Sequence, residues 1–355
     1  MKHAGRGAMM AIIKATGRGL HGTAGLLVPL MVLMAVLATV FLLAGCSADD
    51  CLNCVDIPPP VVPTGVHSIS GDGYVIVQWN DLVYAPYDRS YNENLVAYEI
   101  YRRRFEFGDE NDPDRTFDPE PIATISWDNE NYDARTGLRW YEDDQVSNGL
   151  QYEYAVVSVN AAGARSALSY EFVVDAPLPM SPWDPQVGFV PVAIFDANAF
   201  GAAGYGFVFS RAAAAPTLLA YGRVTPGAEV AKADIEIFFS GGVPFVTRGG
   251  SHVQLQDFGD YSDDVGNVLF EGVTWAPING YSVTGTMELV PGHVYVVRIA
   301  TGDGAVHFAK FGVDSVGSSL VNIIWAYQLI ANLPELSAPV GGLKPVTDGP
   351  QLISL

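Results

Sequence analysis

From about residue 62 onward, apolar and polar positions alternate in short runs. Tyr74–Trp79 puts Val75, Val77 and Trp79 on one face. Val96–Arg104 sets Tyr98 and Ile100 against Ala97, Glu99 and Tyr101, and Tyr152–Asn160 sets Tyr152, Tyr154, Val156 and Ser158 against Ala155, Val157 and Val159. A period of two over such lengths predicts strands. Shorter runs at Val66–Ile69, Pro121–Ser126 and Tyr170–Val174 add to the set, and Gly71-Asp72-Gly73 marks a turn. About seven short strands over residues 62–177 predict a β-sandwich.

Residues 183–335 repeat the pattern. Strands are expected at Phe189–Phe195, Gly206–Phe209, Thr217–Val224, Ala233–Phe239, Val253–Gly259, Tyr281–Leu289, His293–Thr301, Val306–Ser315 and Asn322–Tyr327. Gly241-Gly242, Gly249-Gly250, Pro291-Gly292 and Gly302-Asp303-Gly304 separate them, and Ala212–Ala215 before Pro216 suits one helical turn. Val294, Val296 and Arg298 alternate with Tyr295, Val297 and Ile299, so both faces of that strand are largely apolar. This suits the interior of a sandwich or barrel. The expected class is all-β: one sandwich, a second β-rich sandwich or barrel-like domain, and a tail at 336–355.

The N-terminus follows a different rule. Lys2, Arg6, Lys14 and Arg18 precede a run from Ala24 to Leu43 that is almost wholly apolar, and the first acid is Asp49. Basic, then apolar, then small residues is the secretory pattern. The closing Leu43-Ala44-Gly45-Cys46 resembles the lipobox of bacterial lipoproteins. The resemblance implies that residues 1–45 are a signal peptide and that Cys46 is lipidated. It implies a lipid anchor in the bacterial cell envelope, and Ser47 after the cysteine points to the outer membrane. Without lipidation, the same run would be long enough to span a bilayer as a helix. Residues 46–61, with Pro58-Pro59-Pro60, read as an extended tether.

Removing the four signal cations from 19 leaves 15 against 39 acids, a mature net charge of −24. Such a surface repels nucleic acid, so no nucleic-acid partner is expected. Besides Cys46, the only cysteines are Cys51 and Cys54. A CxxC pair serves as a redox couple, half a zinc site or a local disulfide. Here it lies in a linker with no βαβ context and no further cysteine. A local disulfide or two idle thiols is the expectation.

Several spaced motifs in the first region resemble fibronectin type III domains. They are Pro63-Thr64-Gly65, Trp79, Tyr98-Glu99-Ile100-Tyr101-Arg102, Gly149-Leu150-Gln151-Tyr152-Glu153-Tyr154 and Val159-Asn160-Ala161-Ala162-Gly163. The resemblance implies that Trp79 is a core residue and that Tyr152 is the tyrosine-corner residue, its hydroxyl bonded to upstream backbone. It implies a spacing or contact module rather than chemistry. Two insertions depart from the pattern, Asp81–Asn94 and Phe105–Glu120. The second carries the acidic stretch Asp109–Asp118, which lacks the central Gly and closing Glu of a wrapped calcium loop. A solvated loop is expected there.

In the second region, Asp234-Ile235-Glu236-Ile237-Phe238, Gly241-Gly242, His307-Phe308-Ala309-Lys310-Phe311 and Trp325-Ala326-Tyr327-Gln328 are similar to the closing strands of HmuY-type haem-binding lipoproteins. That similarity implies a β fold and makes His252 and His307, with His293, the candidate ligands for haem. No Gly-x-Ser-x-Gly, His-Glu-x-x-His or phosphate loop is present. The reading is a non-enzymatic, membrane-tethered module that binds or assembles with a protein or glycan, with no resident cofactor. The alternatives are a lipoprotein that captures haem or another small ligand and, further off, a glycan-processing enzyme built on carboxylates.

Overall fold

The computed structural model describes residues 59–82, 94–106, 116–128, 131–171, 173–184, 186–198, 205–224, 233–282 and 284–337. Cys46, Cys51, Cys54, the signal segment and most of Asp109–Asp118 lie outside the described residues. The chain divides into Met1–Asp56 and Ile57–Leu355, and every described residue belongs to the second unit.

Eight strands build the first sandwich: β1 His67–Ser70, β2 Val75–Asn80, β3 Leu95–Phe105, β4 Ala123–Ser126, β5 Tyr132–Asp133, β6 Leu138–Asp143, β7 Gln151–Asn160 and β8 Val173–Asp175. They form two antiparallel sheets, ordered β1-β2-β6-β5 and β4-β3-β7-β8. This is the A-B-E-D and C′-C-F-G order of an immunoglobulin-like sandwich, the architecture that fibronectin type III domains share. Val75, Val77 and Trp79 of β2 meet Tyr98, Ile100, Tyr154 and Val156 in the core. Trp79 is fully buried, with its ring 5.3 Å from that of Tyr98. The Tyr152 hydroxyl accepts from the Ser147 backbone N–H at 3.1 Å.

Strand β6 was not among the expected strands, and its inward side chains explain why. Arg139 and Asp143 are buried, with Tyr141 packed between them against the core. A guanidinium nitrogen of Arg139 lies 3.1 Å from Asp81 Oδ2. Asp143 accepts from Arg102 at 2.8 and 2.9 Å and from the Tyr154 hydroxyl at 2.9 Å. An inward face with a charge on either side of one tyrosine has no apolar alternation to read.

Twelve further strands follow: β9 Trp183–Asp184, β10 Gly188–Phe189, β11 Val192–Phe195, β12 Gly206–Phe207, β13 Arg223–Val224, β14 Ile235–Ser240, β15 Val243–Arg248, β16 Val253–Asp260, β17 Thr286–Glu288, β18 His293–Ala300, β19 Val306–Val316 and β20 Leu320–Tyr327. Strands β9 and β10 pair as a small ribbon. The others form two five-stranded sheets, β11-β20-β19-β18-β16 and β13-β12-β14-β15-β17. The architecture is a sandwich rather than a closed barrel. Its core holds Phe207, Phe209, Ile235, Leu255, Tyr295, Phe311 and Trp325, with Tyr295 stacked on Phe311 at 5.0 Å.

The first of these sheets is buried on its second face as well. Val294, Val296 and Phe308 pack with Val273, Ala276 and Leu336, while Ile324 and Ala326 pack with Leu178, Met180 and Phe270. This covering layer accounts for the apolar residues on both faces of β18. Lys310 also faces it, fully buried. Its ammonium donates to the carbonyls of Phe270 at 2.7 Å and Val273 at 2.8 Å and sits 4.2 Å from the Phe270 ring centre.

Other expectations are corrected. Of Thr217–Val224 only Arg223–Val224 is strand, the rest being turns. Tyr281–Leu289 shortens to Thr286–Glu288. The helical turn starts earlier, as α1 Phe209–Ala213. Strand β15, between its two Gly-Gly turns, is not expected from sequence because Pro244 stands within it.

The proline-rich segment after β8 packs closely. Met180 bridges Ala326, Ser181 N–H donates to Trp325 O at 2.8 Å, and Tyr327 N–H donates to Pro179 O at 3.0 Å. Leu178 N–H reaches Gly71 O in the first sandwich at 3.2 Å. Gly149 is required where the sandwiches meet: its φ is +78°, and a Cβ there would sit 3.1 Å from Leu329. Beside this contact the Ser70 hydroxyl donates to Asp175, and Glu335 of the second sandwich lies against both. All three are buried. Burial, and then the Asp175 carboxylate, push Glu335 well above the usual carboxylate range.

Candidate functional site

Asp234 stands directly before β14, and its position is set by backbone on three sides. Its N–H donates to Phe207 O at 2.8 Å, and its carbonyl accepts from Gly249 N–H at 2.9 Å. Its Oδ2 accepts from the Phe209 N–H, at the start of α1, at 2.8 Å. Gly249 must be glycine here, because a Cβ would stand 1.8 Å from the Ala233 carbonyl oxygen. The carboxyl group is thus carried into the end of the sandwich.

Around it lies an open cleft of about 640 Å³. Val208 and Ser210 come from the start of α1, Ile299 to Gly302 from the end of β18, Tyr327 from the end of β20, and His252 from the turn before β16. Asp234 is only 5% exposed. Burial pushes its carboxyl up to about 6, opposed by the Phe209 N–H. Burial, helped by the Asp234 charge, pushes the Tyr327 hydroxyl up to about 12, so it stays neutral at physiological pH. Among the described residues, Asp234 has no salt bridge.

Of the histidines singled out from sequence, His252 lies exposed in this cleft. His307 does not line it. Its ring stacks on that of Tyr327 at 5.6 Å, and its Nδ1 donates to Gln328 O at 3.1 Å. His293 lies at the other end of β18, 3.1 Å from Asp257, about 20 Å away at strand rise. The fold therefore brings one of the three to the cleft. Asp234, Ser210 and Tyr327 were not read as site residues. The available signal for Asp234 was an acid directly preceding an apolar strand.

Ser210, His252 and Asp234 line one cleft, yet no hydrogen bond joins any of them to another. A nucleophilic triad depends on such contacts. Asp234 instead serves a helix terminus.

A second groove, of about 610 Å³, lies on the outer face of β3 and β7, between Phe117 of the insertion and Leu168. Its polar floor is largely engaged within the protein. Arg165 forks onto Glu99 at 2.7 and 2.8 Å and holds that carboxyl below the usual range. The Tyr101 hydroxyl donates to Glu99 as well, at 2.9 Å, and Arg103 pairs with Glu153.

No protein-family model matches the chain, and no curated protein matches it. Solved structures that align with it include the chicken CNTN1 FN1-FN3 domains, at 13% identity over 75% of this chain and 65% of that one, with a TM-score of 0.27. A DUF4466 family protein from Parabacteroides merdae aligns at 10% identity over 78% and 96%, with a TM-score of 0.31. A myokine structure aligns at 17% identity over 33% and 98%, with a TM-score of 0.20. Fibronectin type III domains are thus among the neighbours, and the sandwich assignment rests on the strand order of the chain itself.

Proposed function

We propose that this protein is a lipid-tethered, extracytoplasmic binding module. Residues 1–45 direct export, Cys46 carries the lipid, and residues 46–61 form the tether. The first sandwich spaces the second from the membrane. The cleft at Asp234 receives part of a protein or glycan in the cell envelope. The observation that carries this reading is an open cleft lined by a buried acidic residue at the end of the second sandwich. A binding role is favoured over a catalytic one because Ser210, His252 and Asp234 are not hydrogen-bonded to one another.

The test compares the mature chain with Ser210→Trp on an array of envelope glycans and surface-protein fragments. Ser210 is exposed on α1, so the bulky residue fills the cleft without entering the core. Binding is expected for wild type and not for the variant; equal binding by both would overturn the assignment. Palmitate incorporation, lost in Cys46→Ala, tests the tether. The second reading, haem capture, draws on His252 at the cleft. A Soret shift on haem titration that disappears in His252→Ala would favour it.

A further inference from the structure

We propose that the cleft takes the cationic end of an alkylammonium group, with Asp234 as its counter-charge and Val208, Ile299 and Ala300 flanking its methylenes. The inference rests on the cleft being a binding site and names what it binds.

An ionised carboxylate offers about four acceptor positions, and Asp234 uses one, on the Phe209 N–H. At 5% exposure it has little water to occupy the rest. A buried carboxylate without a cation is costly, and no Lys or Arg among the described residues pairs with it. Capping α1 does not require the charge, because the oxygen of an asparagine would accept the same N–H. The charge is what the fold leaves without a cation, and Asp234 lines an open cleft.

The walls refine the choice of cation. Three flanking residues are aliphatic or small, which suits a hydrocarbon stem and not a hydrated ion. A divalent metal needs several hard ligands, and no group of three His, Cys, Asp or Glu side chains converges among the described residues. The mature net charge of −24 also draws cations toward the protein. A lysine side chain of a partner protein and a free polyamine both present this chemistry.

The test is an NMR titration of the mature chain with n-pentylamine, with n-pentanol as the neutral probe of equal length. The amine is expected to shift the amide resonances of Phe209, His252 and Thr301, and the alcohol to leave them in place. Asp234→Asn, which keeps the acceptor for Phe209, should weaken amine binding at least tenfold without lowering the melting temperature. Tighter binding of Nα-acetyl-lysinamide than of 1,5-diaminopentane would assign the group to a protein side chain, and the reverse order to a polyamine. Equal shifts by amine and alcohol, or unchanged affinity in Asp234→Asn, would overturn the proposal. If the amine does not bind while Ser210→Trp still abolishes binding on the array, the ammonium assignment fails and the cleft remains a binding site.

Discussion

Arg139 in the first sandwich and Lys310 in the second are both buried cations on sheet strands, but different groups answer them. Arg139 meets the carboxylate of Asp81, and its neighbours follow suit: Asp143 meets Arg102, Glu153 meets Arg103, and Glu99 meets Arg165. Lys310 meets two carbonyl oxygens. Elsewhere in that sandwich, Asp196 accepts from the N–H groups of Asn198 and Phe239, and Asp234 from that of Phe209. The first sandwich balances buried charge between side chains of different segments; the second balances it against peptide groups. A side-chain pair can be exchanged as a pair. A charge held by backbone ties a loop or helix end to the sheet, and no second side-chain change can substitute for it.

The largest effect should come from breaking a pair. Arg139→Met removes the guanidinium beside buried Asp81 and should cost about 3–5 kcal/mol, while adding Asp81→Leu should recover most of that. Urea unfolding of the two variants measures both. A double variant as unstable as the single would show that Asp81 is answered elsewhere. Trp79→Ala belongs to the same scale, at about 3–5 kcal/mol, and a melting temperature unchanged by it would refute its place in the first core.

Lys310→Met conserves volume but leaves two buried carbonyls short of a donor, at about 1–3 kcal/mol each. Burial lowers the ammonium to about 7 from its ordinary 10.5, opposed by Glu271. The folded state therefore binds fewer protons than the unfolded one between these values, and wild-type stability should rise with pH across that window. The Met variant should lose this slope, which unfolding midpoints at pH 7 and 10 would reveal.

The contact between the sandwiches should respond in the opposite sense. Glu335 is raised, so its contribution is complete below about 4.5 and is lost as pH rises through its folded value. Glu335→Gln keeps a donor toward Asp175 and should flatten that decline, read as the melting temperature against pH. An unchanged profile would mean that another group carries it.

The smallest change is expected at Asp234. Its carboxyl is raised to about 6, so its share of stability is present below its ordinary value of 3.8 and is lost as pH climbs through 6. Asp234→Asn should gain on the order of 1 kcal/mol at pH 7. A loss there would show that the charge itself supports α1.

Much of this was legible along the chain. The alternation of Val75, Val77 and Trp79 against their neighbours identified a core face, because apolar side chains at period two must leave water together. The largely apolar faces of Val294–Ile299 marked an interior strand, but not the layer of Val273, Ala276 and Leu336 that covers its second face. The glycine pairs marked turns for the same local reason. Alternation could not reveal β6, whose inward Arg139 and Asp143 read as surface until Asp81, just past β2, and Arg102 of β3 are brought across to them. Nor could it show that Asp234 faces a cleft and His307 does not. The identity of a residue determines what its burial would cost. Only packing between distant segments determines whether it is buried and which group offsets that cost, because the partners come from strands, loops and backbone that share no sequence spacing.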